Sequence, residues 1–457
     1  MDEPKPFDET RDKRSILVTG ASGYIASQLI PRLLERNLPV RCLVRNPDHL
    51  QRRAWFPDVE VFSGDLMHPE STLPALQGIS TAYYLVHGMS NGKGYVEQDL
   101  QAARDFSLAA REAGVKHIVY LGGLADPQDN IARHLRSRIH TGEALRSAGV
   151  PVTEFRAGVI VGPGSISFEM IRFLSEQFPI ILCPGWMPNL SQPIAIQNIL
   201  DYLLAALDMQ KPESLVFEIG GSQVLTYAET MLVYARLRGL KRRVLIMPIN
   251  PVWLLAYFLA KLTPVPASIT RPLVEGLRSH SIVQETFARQ FFPEIEPIGY
   301  ERAVLDSLGK LDPREVEPIW RQVSGSMRSL KHAGFCILQR QASLEVEAGT
   351  TRETLRKLFT PGSKAEEISE VTRSTSSGNE QIWLIRSKRR LPGLLWWEWR
   401  VESRGAGSRV SQAILFAPKG VPGFWGWYLL GPWLRFWQWI EFRKLTKWAV
   451  RLAKQKG

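Results

Sequence analysis

The sequence predicts an α/β protein, a doubly wound parallel sheet followed by a smaller α+β domain. Two observations carry this. Short β-branched runs alternate with amphipathic stretches from Ser15 to about Leu121, and after Ser307-Leu308-Gly309-Lys310-Leu311-Asp312-Pro313 the pattern changes to strand, short helix, several strands and one long helix. A length of 457 residues suits more than one domain. With 44% hydrophobic and 22% charged residues, 35 Gly and 30 Pro, the composition is ordinary for globular proteins and excludes disordered, collagen-like and multispanning classes. The expected layout is a flexible N-terminus over 1–13, a first domain over 14–306 and a second over 307–457.

The first run, Ser15-Ile16-Leu17-Val18-Thr19, ends in Gly20-Ala21-Ser22-Gly23-Tyr24-Ile25-Ala26, and an amphipathic stretch follows from Gln28 to Arg36. This reads as strand, glycine turn and helix. Gly20 suits the tight turn, Gly23 lets the backbone approach a pyrophosphate, and the first amides of the helix can bind that anion. Ala26 stands where a third glycine is common. The next run, Val40 to Val44, ends at Arg45-Asn46-Pro47, about twenty residues past the turn, where such domains read the adenosine ribose. An acid there would accept from a 2′-hydroxyl, whereas Arg45 suits a 2′-phosphate, so NADP(H) is favoured over NAD(H). Arg52 or Arg53 could supply the same charge.

The pattern repeats at Val59 to Phe62, leading into Gly64-Asp65-Leu66, and at Thr81 to Val86, leading into His87-Gly88-Met89. A helix is expected over Tyr95 to Ala113, then a strand over His117 to Leu121 and a loop at Gly122-Gly123-Leu124. All these strand ends would face one edge of a parallel sheet, where such folds bind ligands.

The segments TGASGYIA, LVRNP, GDL, YYLVHGM, VKHIVYLGGL, GVPVTEFRAGVIVGPGS and TPVPASITRPLVEGL together resemble the atypical, extended short-chain dehydrogenase/reductases close to the NmrA-like proteins. More closely, they resemble bacterial two-domain members that append a helix-grip domain of the SRPBCC or START-like type, whose role is unknown. The resemblance covers nearly the whole chain after Arg14. It implies a Rossmann-type domain in which Gly20, Ser22, Gly23, Tyr24 and Ile25 line the pyrophosphate and Arg45 the 2′-phosphate. Asp65 and Leu66 would face the adenine, and the loops from Val86-His87 and Leu121-Gly122 the nicotinamide ribose.

The acid–base set of that superfamily, a Tyr followed one helical turn later by a Lys, is replaced. Anchored on Gly142-Glu143 and Thr153-Glu154-Phe155-Arg156, the Tyr position falls on His134 and the Lys position on Arg138. His134 is the candidate acid, since an unperturbed imidazole titrates near 6.5. Arg138 is the candidate ribose clamp, although it stays protonated and cannot join a proton relay. The usual serine would lie near Gly122 or Gly123, which have no side chain to polarise a carbonyl. A reductase of unusual mechanism and a non-catalytic nucleotide binder, either a redox sensor or a structural subunit, are both compatible with this pattern.

From Val159 to roughly Val283 the alternation loosens, as expected for substrate-side insertions. Phe168 and Trp186 there suggest an apolar wall and a hydrophobic substrate. The apolar run from Val252 to Ala260 is too short to span a bilayer.

In the second domain, strand-like segments fall at Gly334 to Val346, Gln381 to Ser387, Leu395 to Glu402 and Arg409 to Phe416. A short helix is expected over Arg352 to Phe359, a loop over Thr372 to Asn379 and a long helix from about Trp427 to Lys454. That order is the one of a helix-grip fold.

Lys and Arg number 57 against 45 Asp and Glu, a net charge of +12. About half of the excess lies after Val421, where Arg435, Arg443, Lys444, Lys447, Arg451, Lys454 and Lys456 face Glu441 alone. Ten of the 14 tryptophans lie after Gln381. Aromatics beside cations over 421–457 suit peripheral contact with an anionic membrane, or equally a helix packed on its own sheet with a solvated basic face. No nucleic-acid-binding module accompanies them.

The three cysteines have no CxxC spacing and the eight histidines no HxxxH or HExxH pair, so neither a disulfide framework nor a metal site is expected. Without an apolar core near Met1, no signal peptide is expected. The expected location is cytoplasmic, with contact at the inner face of a membrane.

Overall fold

The computed structural model describes residues 15–51, 53–86, 94–125, 131–209, 212–247, 253, 257, 267–313, 335–344, 346, 348–358, 365–375, 378–387, 391–404 and 407–456. The N-terminal 1–13, Arg52, His87 with 88–93, and nearly all of the run from Val252 to Ala260 lie outside the described residues. The chain divides into two compact units that part at Gly325/Ser326, with the short stretch Ser175–Pro179 grouped with the second. The helix Tyr300–Gly309 therefore lies whole in the first unit, where a boundary at 306/307 would cut it.

The first unit is built on a seven-stranded parallel sheet. Its strands are β1 (Ile16–Thr19), β2 (Val40–Val44), β3 (Glu60–Ser63), β4 (Thr81–Tyr84), β5 (His117–Gly123), β6 (Val152–Ala157) and an edge strand, Leu215–Ile219. In space the order is edge strand, β6, β5, β4, β1, β2, β3, so the winding reverses between β1 and β4. Helices α1 (Tyr24–Glu35), α2 (Pro69–Leu76), α3 (Tyr95–Glu112) and α4 (Arg133–Arg146) connect them.

Alternation along each strand feeds two cores. Ile16, Val18 and Phe155 point to one face, where Ala26, Leu29, Ile30 and Leu33 of α1 pack at helical spacing. Leu17, Ala82, Ile118 and Val152 point to the other, against Ala103, Phe106 and Ala110 of α3. Burial on both faces is why β1 and the middle of β5 read as continuous apolar runs. Helix α1 starts at Tyr24, as expected, and β5 continues through Gly122 and Gly123, which belong to the strand and not to a loop.

The second unit is a five-stranded antiparallel sheet in the order Cys336–Leu344, Gly407–Pro418, Gly393–Arg404, Gly378–Ser387, Ala365–Thr375. Helices Ala348–Leu358 and Gly420–Lys456 pack with it. Leu355, Trp383, Trp399, Val401, Phe442 and Leu445 form one core cluster, with Trp399 stacked on Phe442 at 6.0 Å. The stretch Thr372–Asn379, expected as a loop, belongs to a hairpin: Thr372 pairs with Gln381 and Thr375 with Gly378.

Candidate functional site

Parallel strands in register bring their carboxyl ends to one edge. Thr19 lies beside Leu43, Val44 beside Ser63, Val18 beside Tyr83 and Tyr84 beside Tyr120. At the reversal between β1 and β4 the chain leaves both strands in opposite directions and opens a crevice. Thr19 staples its floor: Oγ1 donates to the Tyr83 carbonyl at 3.0 Å and accepts from the Leu85 amide at 3.1 Å.

Gly20 turns the chain at φ 65°, and a Cβ there would stand 2.8 Å from the Leu85 carbonyl oxygen and 3.2 Å from Cγ2 of Val86. Only glycine meets both constraints. The Gly23 amide donates to the Gly20 carbonyl at 2.8 Å and closes the turn, and α1 begins at the next residue. Among the described residues no side chain caps α1, and no acid lies in its first turn, which leaves the positive helix end open to an anion.

The expected cofactor residues Gly20, Ser22, Gly23, Tyr24 and Val86 thus gather at one crevice. Ile25 turns into the α1 core. The Tyr24 hydroxyl is buried beside Gly162, and burial, with Glu169 adding to it, raises its pKa. Arg45 lies exposed at the end of β2 and, among the described residues, makes no ion pair. The buried Arg53 directs Nη2 to the Ser22 carbonyl at 3.5 Å, placing a second cation behind the turn. After β3, Asp65 accepts the Met67 amide at 3.1 Å, and Leu66 is buried. Leu121 and Gly122 lie on β5.

The acid–base positions are arranged differently from the sequence expectation. His134 and Arg138 share one face of α4, but His134 packs against Gly276 while Arg138 lies over the end of β5. His134 is 5% exposed and lies against Gly276, where a Cβ would stand 2.8 Å from Cε1. Burial, with the neighbouring charge of Arg138, pushes its pKa down to about 3. The ring is therefore neutral at neutral pH and carries no proton to donate as an imidazolium.

Arg138 runs its stem across the end of β5: a Cβ on Gly123 would lie 3.0 Å from Arg138 Cδ and 3.0 Å from Leu135 Cδ2. Its carbonyl accepts from the Tyr120 hydroxyl at 3.0 Å. Burial lowers the guanidinium pKa, while Tyr120 and Asp99 raise it. The apolar wall expected from Phe168 is core, since Phe168 is fully buried 6.0 Å from the Tyr234 ring. Trp186 packs on another core cluster.

Two features escaped the sequence reading. Glu154 on β6 has a fully buried side chain and bridges Arg146 at 2.5 Å and Arg156 at 2.7 Å. Gly142 on α4 makes room for it, because a Cβ there would come 2.6 Å from the Glu154 carboxyl carbon. Glu169 and Arg172, both fully buried, pair at 2.7 Å, and Glu169 also accepts the Gly164 amide at 3.1 Å. The only signal for either is an acid inside an apolar segment. Among the described residues no cluster of His, Cys, Asp and Glu could hold a metal ion.

Residues 12–172 match the NmrA-like family. The chain is 27% identical to the photosystem II assembly factor Ycf39 of Cyanophora paradoxa, over 51% of this chain and 72% of the relative. It is 25% identical to the NAD(P)H azoreductase of Xenophilus azovorans, over 49% of this chain and 74% of the relative. Among solved structures, the NADPH-dependent quinone oxidoreductase QOR2 of Escherichia coli, complexed with NADPH, superposes with a TM-score of 0.52 at 18% identity. That match covers 64% of this chain and 98% of the other. That likeness shows a shared Rossmann-type fold.

Proposed function

We propose that the chain binds NADP(H) at the β1/β4 crevice and passes hydride to a conjugated, hydrophobic acceptor. The carrying observation is the glycine turn at the reversal point, with an uncapped helix behind it and the cations Arg45 and Arg53 on its adenosine side. The residues fit the nucleotide. Gly20, Ser22 and Gly23 would approach the pyrophosphate with the first amides of α1, Arg45 would grip the 2′-phosphate and Asp65 with Leu66 would face the adenine.

When bound, the cofactor supplies the hydride. The protein supplies no titrating acid at either expected position, because burial holds His134 neutral and Arg138 stays protonated. A simple ketone would need its proton as hydride arrives, whereas a quinone, azo or dye-like acceptor spreads the developing charge. Arg138 is the cation to hold that charge, and water returns the proton afterwards. Similar proteins named as an azoreductase and as a quinone oxidoreductase fit this acceptor class. The other reading, a nucleotide binder without turnover, is favoured by the same neutral His134 and by the likeness to an assembly factor.

Fluorescence titration with NADPH and NADH, on the wild type and Arg45→Glu, tests the binding. NADPH should bind more tightly than NADH, and the variant should lose at least about tenfold for NADPH alone. Binding of neither nucleotide, or an unchanged variant, would overturn the assignment. Faster NADPH oxidation on adding quinones or azo dyes separates the reductase from the silent binder.

A further inference from the structure

The long C-terminal helix Gly420–Lys456 has two faces, and only one is explained by its own sheet. Trp427 stacks on Phe416 at 5.5 Å, Leu434 joins the same cluster, and Phe442 and Leu445 enter the other core. The opposite face carries Trp425 at 54% exposed, Leu429 at 77%, Trp433 at 59% and Phe436 at 57%. These four follow the three- and four-residue spacing of one helical stripe. Continued through Ile440, the same stripe becomes Arg443, Lys447 and Arg451, all exposed. One surface line is therefore aromatic in its first half and cationic in its second. At the junction Phe436 stacks on Trp439 at 5.9 Å, and the Arg443 guanidinium lies 4.5 Å from the Trp439 ring.

We infer that this stripe docks the protein on an anionic lipid surface. Solvent alone explains the cations but not four large apolar side chains exposed in a row. A protein partner or a second copy would account for an apolar patch, but not for cations continuing along the same line without interleaved acids. A bilayer interface accounts for both, since Trp and Phe seat at the boundary of headgroups and acyl chains while Lys and Arg reach the phosphates. Among the described residues no helix is long and apolar enough to cross a membrane, so the helix lies along the surface. At 37 residues it is about 55 Å long, enough to hold both halves against one leaflet.

Co-sedimentation of the full chain with vesicles of phosphatidylcholine, alone or mixed with phosphatidylglycerol, tests this. Two variants accompany the wild type: Trp433→Ala with Phe436→Ala, and Lys447→Glu with Arg451→Glu. All four side chains are exposed, so circular dichroism and urea midpoints should match the wild type. Binding is expected to the anionic vesicles only and to weaken with salt. The aromatic pair should abolish it, and the charge pair should lower it at least about 25-fold, about fivefold for each cation removed before repulsion of the added acids. Absence of binding at low salt, or equal binding to neutral vesicles, overturns the proposal. So does a dimer in sedimentation velocity that the aromatic variant dissociates while vesicles recruit nothing, because a second copy then covers the face.

Discussion

Acidification should destabilise the first unit through His134, by an amount that its burial sets. In the fold the ring is 5% exposed, Nδ1 has no hydrogen-bond partner among the described residues, and the pKa is held at about 3 against the ordinary 6.5. Unfolding restores the ordinary value. Because the folded pKa is depressed, the unfolded chain takes up the proton first as pH falls. The stability contribution is whole above about pH 6.5 and is lost progressively toward about pH 3. At about pH 5, protonation favours the unfolded imidazole about 30-fold, or about 2 kcal/mol. Urea unfolding of the wild type and His134→Phe, each at about pH 7 and about pH 5, isolates this. Phenylalanine keeps a ring against Gly276 and takes up no proton, and it forfeits no hydrogen bond at Nδ1. The wild type should lose about 2 kcal/mol more than the variant on acidification. His117, whose pKa burial lowers to about 4, titrates in both proteins and cancels. If both lose the same stability, or the wild type gains on the variant, His134 is protonated in the fold. The argument that removes it as a proton source then fails.

Gly142→Ala should cost about 3–5 kcal/mol in urea unfolding, because its Cβ would displace a buried Glu154 that bridges two arginines. A loss under about 0.5 kcal/mol would mean that the carboxylate has room to move. Gly20→Ala should cost at least about 1–2 kcal/mol for the left-handed backbone alone. It should also abolish NADPH binding in the fluorescence titration, because the turn must shift away from the Leu85 carbonyl. A variant that binds normally would place the nucleotide elsewhere.

What the sequence could disclose depended on how local the cause was. The turn from Gly20 to Gly23 and the end of β2 at Arg45 are set by neighbours in the chain, and the structure has them where the residues pointed. The state of His134 is set by Gly276, on a helix far along the chain, and by Arg138, and nothing near His134 announces burial. Arg53 against Ser22 and Glu154 between Arg146 and Arg156 are likewise tertiary facts. The stretch Thr372–Asn379 misled for a different reason. It lies where the outer strand Ala365–Thr375 turns back into its neighbour, and a polar edge strand carries the composition of a loop.

The two glycines at the end of β5 show why the site departs from the usual reductase as a unit and not residue by residue. A Cβ on Gly122 would stand 3.2 Å from Glu154 Oε1 and 3.3 Å from Tyr120 Cε1, and one on Gly123 would press on Arg138 and Leu135. The space a catalytic serine would occupy is thus already filled by the Arg146–Glu154–Arg156 group and by the arginine that replaces the usual lysine. Burial, with Arg138 adding to it, lowers the pKa of His134, where the usual tyrosine would stand. The serine and lysine positions are coupled through contact and the lysine and tyrosine positions through charge, so reinstating any one of them leaves the others opposing it. Under the proposed reductase reading, hydride chemistry in this crevice relies on a fixed cation and on an acceptor that tolerates late protonation.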